Sequence, residues 1–208
     1  MKTILKTSLA LALFAAFGQA NAAYNQYRVD IDTTGLAGLG FLDLQFNAGM
    51  DGAAALNAKV TSFHGALDNS NAPQVFGFVS GSLPGTLNFS NQSTYNDYFQ
   101  GVQLGGKMSF NVSFSGDFFN TPGNIGSAFA LSMYAADGAS TLGTADANSG
   151  SLLTFNMNAH PNGYGIVNST VFDSQMIHVS AIPEPEQWAL MAGGLMALGV
   201  VARRRKQA

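Results

Sequence analysis

The side chains in this sequence that could carry out catalysis are ten aspartates, three histidines and many serines, and the chain has no cysteine. His64, His160 and His178 lie far apart, and none belongs to a motif with the ligand spacing of a zinc site. No Gly-x-Ser-x-Gly segment is present, so nothing indicates the nucleophile of a serine hydrolase. The sequence therefore predicts a protein that is not an enzyme, with no catalytic residue and no committed metal site.

Calcium is a metal that some of these aspartates could bind. Asp30 with Asp32, or Asp68 with Asn69 and Asn71, could offer the hard oxygen ligands that calcium prefers. The same residue types form Asx turns and flank strands in exported proteins. No complete EF-hand loop is present, so both interpretations stay open.

Carbohydrate binding is a second possible chemistry, since sugars bind to exposed aromatic rings. The only Trp of the chain lies near its C-terminus, which leaves Tyr95, Tyr98 and Tyr164 as the candidate glycan platform. Nucleic acid is not an expected partner, because twelve acidic residues exceed nine basic ones.

The segment that must position these side chains is residues 23–181, where three basic residues stand against ten aspartates. Asp, Asn, Gly and Ser favour turns over helices, and both Glu residues of the chain lie beyond this segment. This composition predicts an all-β domain of about 160 residues, long enough for one core.

Alternation of apolar and polar residues supports strands in this segment. It is clearest from Met108 to Phe114, from Phe129 to Met133 and from Leu153 to Met157. Weaker strands are predicted at Tyr27–Thr33, Phe41–Phe46, Ala58–His64, Gln74–Ser80, Gly85–Phe89 and Gln175–Ser180, whereas Tyr95–Leu104 could hold a short helix. Eight to ten short strands separated by turns predict a two-sheet antiparallel sandwich, with the jelly roll as one form of it.

Residues 1–22 have the order of a secretory signal peptide. Lys2 and Lys6 precede the apolar run 9–17, and Ala20-Asn21-Ala22 has the pattern of a cleavage site. We therefore expect a signal helix, export by the Sec machinery and cleavage by signal peptidase before Ala23.

The composition changes again at residues 182–208. Pro183, Glu184 and Pro185 predict an extended segment that an enzyme could bind. The uncharged run that follows is short for a membrane helix, and its expected anchor residues are Trp188, Leu190, Leu195, Leu198 and Val200. The basic residues Arg203, Arg204 and Arg205 would stop transfer and stay in the cytoplasm. An ordinary single-pass anchor behind a Pro-rich linker is the alternative.

This three-part tail resembles the PEP-CTERM sorting signal of Gram-negative bacteria, over about residues 181–206. The resemblance implies recognition and processing by exosortase, a membrane-embedded cysteine transpeptidase, with Pro183, Glu184 and Pro185 as the recognition motif. Residues 27–47, together with Gly81-Ser82-Leu83-Pro84-Gly85, also look like a recurrent family of small PEP-CTERM proteins that has no established activity.

We therefore expect an exported, non-enzymatic protein that is held briefly in the inner membrane and then released to the cell envelope or extracellular matrix. Its β-domain would be structural or adhesive in an exopolysaccharide or biofilm layer, as the resemblance implies. The alternative is a carbohydrate-binding module exported by the same route.

Overall fold

The computed structural model describes residues 25–183, 191–196, 198 and 203. By its contacts the chain divides into two units, Tyr24–Trp188 and a second unit formed by Met1–Ala23 with Ala189–Ala208. The described part of the first unit contains twelve strands: β1 Gln26–Asp32, β2 Leu39–Ala48, β3 Asn57–His64, β4 Gln74–Phe76, β5 Val79–Gly81, β6 Leu87–Ser90, β7 Asp97–Gln103, β8 Lys107–Ser115, β9 Ser127–Ala135, β10 Leu153–Asn158, β11 Ile166–Val171 and β12 Ile177–Ala181.

These strands form two antiparallel sheets of six strands each. The first sheet has the order β12-β1-β8-β3-β6-β5, and the second has the order β11-β10-β9-β2-β7-β4. Neighbouring strands are antiparallel in both sheets. The prediction of an all-β protein with two antiparallel sheets is confirmed.

The core lies between the two sheets and is rich in Phe. Strand β8 of the first sheet buries the four apolar residues of its alternating pattern, and β9 and β10 of the second sheet bury three each. Rings meet across the two layers, since Phe114 lies 6.0 Å from Phe129 and Tyr27 lies 4.7 Å from Phe155. Each fully buried Phe contributes about 1.5–3 kcal/mol through the area it removes from water. Every second side chain of these strands consequently lies on an outer face.

Two segments differ from the sequence prediction. The segment Tyr95–Leu104, for which a short helix was an alternative, contains strand β7, because Tyr98 and Val102 alternate inward at the strand period. The run Gln74–Ser80 is not one strand, because β4 pairs in the second sheet and β5 pairs in the first. Gly77 has a φ of 76° in the connection between them, a conformation that favours glycine.

The predicted count of eight to ten strands was too low, because Gln74–Ser80 contains two strands and because β11 was not predicted. Strand β11 is at an edge of the second sheet and is mostly exposed. An edge strand that buries little has no strong alternation of apolar and polar residues, so its sequence carries a weak signal.

The pairing of β12 with β1 ends just before the predicted sorting motif. The backbone N–H of Ile182 donates to the carbonyl oxygen of Gln26 at 2.8 Å, and Pro183, which has no N–H to donate, follows.

In the second unit, the described residues 191–196, 198 and 203 are helical, and Leu195 and Leu198 are exposed. No helix within the described part of the chain is long and apolar enough to cross a membrane. The expected signal segment 1–22 and the tail residues Glu184, Pro185, Trp188, Leu190, Val200, Arg204 and Arg205 lie outside the described residues.

Candidate functional site

The outer face of the second sheet carries aromatic and carboxyl side chains. On β2, Leu42 and Leu44 point into the core, and Phe41, Asp43 and Gln45 lie on the opposite face. The neighbouring strands follow the same rule, which places Asp97 and Phe99 of β7 and Ser132 and Tyr134 of β9 on this face. An outer sheet face is usually polar, so aromatic rings there call for an explanation.

Three rings form a continuous aromatic floor, which we define as Phe41, Phe99 and Tyr134. The ring centroids of Phe41 and Phe99 are 4.6 Å apart with an interplanar angle of 18°, and those of Phe99 and Tyr134 are 5.9 Å apart. A second pair, Phe76 and Tyr95, lies at 5.3 Å beside the edge strand β4. Both side chains of this pair are exposed.

Two carboxyl groups lie between these aromatic groups. Asp43 is only 3% exposed, and its Oδ2 accepts a hydrogen bond from Gln45 Nε2 at 3.0 Å. Oδ1 of Asp43 and Oδ1 of Asp97 are buried and receive no hydrogen bond from a protein donor. Burial and the adjacent Asp97 together raise the pKa of Asp43 to about 8. Asp43 therefore keeps its proton at neutral pH.

The two carboxyl groups also affect the tyrosines beside them. The pKa of Tyr95 is raised by burial first and then by the charges of Asp97 and Asp43. The pKa of Tyr134 is likewise raised by burial and by the charge of Asp43. Both tyrosines consequently remain neutral hydroxyl donors at physiological pH.

A groove of about 410 Å³ opens over this face. Its lining residues are Phe41, Gln74, Asp97, Phe99, Ala136, Asp137 and Gly138, and we call it the aromatic–carboxyl groove. A side chain at Gly138 would lie 3.8 Å from Phe41 and 3.9 Å from Phe99, so this glycine keeps the loop close to the rings without covering them. The groove falls in the size range of small-molecule sites and combines flat apolar surfaces with polar groups.

A larger cavity of about 620 Å³ lies on the outer face of the first sheet. Its charged groups are already paired, since Arg28 Nη2 lies 2.8 Å from Asp30 Oδ1 and Lys107 Nζ lies 3.1 Å from Asp32 Oδ2. These ion pairs leave less free charge for a ligand than the aromatic–carboxyl groove offers. We therefore favour the smaller groove as the candidate site.

The same cavity brings together two of the histidines that the sequence analysis considered. The pairing of β12, β1, β8 and β3 sets His178, Asp30, Ser109 and His64 in one row. A hydrolase triad needs its histidine between serine and aspartate, whereas here Ser109 lies between Asp30 and His64. The third histidine, His160, accepts a hydrogen bond from the backbone N–H of Asn162 in a turn.

The tyrosines predicted as a glycan platform do not form one surface. Tyr98 is fully buried; its hydroxyl accepts from the Leu83 N–H and donates to Gln100, both at 3.1 Å. The prediction that Tyr98 belongs to the glycan platform was wrong, because the alternation of β7 turns Tyr98 inward and Phe99 outward. Tyr95 and Tyr164 are exposed, but Tyr95 lies next to β7 and Tyr164 follows β10. Strands β2 and β9 lie between β7 and β10, which are therefore about 14 Å apart.

The aspartates considered for calcium already have protein partners, which for Asp30 is Arg28. Asp68 accepts from the backbone N–H and the hydroxyl of Ser70, at 3.0 and 2.6 Å. Asp32 accepts from Thr34 in the same way, at 2.9 and 2.6 Å, which lowers its pKa to about 2. Among the described residues there is no group of three or more His, Asp or Glu that could hold a metal ion.

Sequence reasoning missed the residues that build the aromatic–carboxyl groove. The signal was present in Phe41-Leu42-Asp43-Leu44-Gln45, where one alternating set is aromatic and polar and the other is aliphatic. Strand β7, which pairs with β2, repeats this pattern, because Asp97 and Phe99 lie on the same face of the strand.

No family model matches this chain. Neither the curated proteins nor the solved structures include one with significant similarity to it.

Proposed function

We propose that this chain is an exported, non-enzymatic protein of the cell envelope or extracellular matrix, and that it adheres to polysaccharide through the aromatic–carboxyl groove. The observation that carries this proposal is the aromatic floor on the outer face of the second sheet. The stacked rings of Phe41 and Phe99 give the groove an apolar wall against which the C–H groups of a sugar can pack. Carboxyl and amide groups at the border, among them Asp97 and Gln74, can accept or donate hydrogen bonds to hydroxyls.

The groove favours an adhesive role over a purely structural one, and it favours the carbohydrate-binding alternative for the same reason. A sandwich that serves only as a spacer needs no aromatic rings on an outer face. The arrangement does not favour glycoside hydrolysis, because Asp43 is buried and does not line the groove. A glycosidase needs two carboxyl groups that flank the scissile bond.

The delivery route follows from the two ends of the chain. We propose export through Sec, transient anchoring in the inner membrane by the helix expected around 188–202, and processing by exosortase at the Pro183, Glu184 and Pro185 motif. The described pairing of β12 with β1 supports this proposal, because its last backbone hydrogen bond is at Ile182, just before Pro183.

For the fold, we propose a jelly roll among two-sheet sandwiches. Strands β1 to β4 alternate between the first and second sheets, and β6, β7 and β8 alternate again. That winding is what two interleaved Greek keys would produce, with β5 displaced to the edge of the first sheet.

Affinity electrophoresis of the full chain in gels containing soluble polysaccharides tests the binding proposal. We expect retardation of the wild type and its loss in Phe99→Ala, which removes the central ring of the aromatic floor. Tyr164→Ala is the matched control, because it removes an exposed ring that lies outside the groove. Equal retardation of wild type and Phe99→Ala, or migration unaffected by every polysaccharide, would contradict the proposal.

A further inference from the structure

The positive charges of the sandwich strands all lie on the first sheet. Within residues 25–183, Arg28, Lys59 and Lys107 are the only Lys or Arg residues, and all three lie on strands of the first sheet. The strands of the second sheet contain no Lys, Arg or His. The outer face of the second sheet is therefore without a cation of its own.

Four carboxyl groups surround the aromatic floor on this face. Asp97 and Asp137 line the groove, and Asp43 lies directly beside Asp97. Asp68 reaches the same face, because a Cβ at Gly101 of β7 would lie 3.2 Å from its Cβ. Serine hydrogen bonds lower the pKa of Asp68 and of Asp137, the latter to about 2, so both remain negative.

The pair of Asp43 and Asp97 adds an independent sign of a positively charged ligand. Asp43 is 97% buried, and its Oδ1, like Oδ1 of Asp97, has no protein donor. Two neighbouring carboxyl groups need a positive species beside them, which is either a proton or a cation. The strands of this sheet contain no Lys, Arg or His, so an ammonium group in the groove would lie beside an Asp97 carboxyl group that no cation of these strands neutralises.

The aromatic floor selects the kind of cation. Phe41 and Phe99 line the groove that Asp97 borders, and an ammonium group that reaches the face of such a ring gains a cation–π interaction. Calcium, in contrast, requires six to eight oxygen ligands. Asp68 and Asp137 already accept two or more turn hydrogen bonds each, which leaves too few free oxygens for that shell.

Resting on the proposed polysaccharide binding, we infer that the aromatic–carboxyl groove recognises a polysaccharide with free amino groups. The sugar ring packs against the stacked pair of Phe41 and Phe99, and its ammonium group donates hydrogen bonds to Asp97 and is attracted by Asp137. A fully N-acetylated or neutral chain lacks that charge and keeps only the stacking contact.

Isothermal titration of the full chain with two oligosaccharides of equal length tests this inference. One is a glucosamine oligomer with free amines, and the other is the same oligomer fully N-acetylated, both at mildly acidic pH. We expect the free-amine oligomer to bind at least about tenfold more tightly, with the advantage reduced by salt. Asp97→Asn should remove most of the advantage and is expected to fold, because its amide can donate to Asp43. Asp51→Asn, which removes an exposed charge from the turn after β2, should leave it unchanged.

The outcomes separate this inference from the proposed function. Equal binding of the two oligomers, both weakened by Phe99→Ala, would overturn the amino-group preference and leave polysaccharide binding standing. Binding of neither oligomer, nor of any polysaccharide in the electrophoresis, would overturn both. A preference for free amines that Phe99→Ala does not weaken would show general charge attraction and overturn the groove as its site. Binding abolished by a chelator would assign the carboxylates to a metal and overturn the inference as well.

Discussion

Replacing Asp43 by Asn should change how the stability of the sandwich depends on pH. The side chain is 3% exposed, and burial together with Asp97 raises its pKa from 3.8 to about 8. Between these two values the folded state holds a proton that the unfolded state has lost. The stability that Asp43 contributes is therefore complete below about pH 4 and is lost as the pH rises to about 8.

The magnitude follows from the difference between the folded and unfolded pKa values. A difference of about 4 units at 1.4 kcal/mol each gives at most about 6 kcal/mol over the whole window, of which about 4 kcal/mol falls between pH 4 and pH 7. This is a large part of a typical unfolding free energy of 5–15 kcal/mol. Asp32 and Asp137 have lowered pKa values of about 2, so their contributions are complete above about pH 4 and are lost below it. Their titration does not overlap that of Asp43.

Urea unfolding of the full chain, followed by circular dichroism from about pH 5 to about pH 9, measures this effect. The wild type should lose stability steeply over this range, and Asp43→Asn should stay nearly constant and become the more stable protein at the alkaline end. The amide does not titrate in this range and can donate to Asp97. Asp51→Asn controls for the change in net charge and should follow the wild type. A constant difference between wild type and Asp43→Asn across the range would refute the buried carboxyl pair.

Three further predictions concern the sandwich and its tail. Gly81→Ala should destabilise the fold by more than about 2 kcal/mol, because φ is 90° and the new Cβ would clash with the backbone carbonyl oxygen of Thr86. Gly106→Ala, with open space around it, should change stability by less than about 1 kcal/mol in the same urea titration. Tyr98→Phe should cost about 1–3 kcal/mol of stability, because it leaves the buried backbone N–H of Leu83 unpaired. The same substitution should leave polysaccharide affinity unchanged, and a loss of affinity would show that Tyr98 belongs to the binding surface. Replacing Pro183 and Pro185 by Ala should leave export intact and block C-terminal trimming, so intact-mass analysis should find the Arg-rich terminus retained in the membrane fraction; normal trimming would contradict the sorting proposal.

The strands that bury the most were the easiest to predict. The run Met108 to Phe114 alternates cleanly, because one of its faces is core and the other is solvent. Strand β11 and the division between β4 and β5 were not predictable from such alternation. Edge strands bury little, and the switch between sheets depends on a backbone turn at Gly77.

The candidate site was harder to predict, because strand register determines it. Alternation alone places Tyr98 and Phe99 on opposite faces but does not say which face is the core. The pairing of β7 with β2 and β4 decides that Tyr98 points inward. The same register brings Asp43 beside Asp97, two residues that are distant in sequence and that no local motif connects.

The most direct test of the central claim is a map of where a polysaccharide contacts the protein. Nuclear magnetic resonance of the isotopically labelled full chain, titrated with glucosamine oligomers, reports this residue by residue. We expect shifts that saturate with ligand at Phe41, Phe99 and Tyr134 on the second sheet. Shifts confined to Asp30 and Lys107 in the cavity of the first sheet, or no saturable shift on either face, would contradict the account.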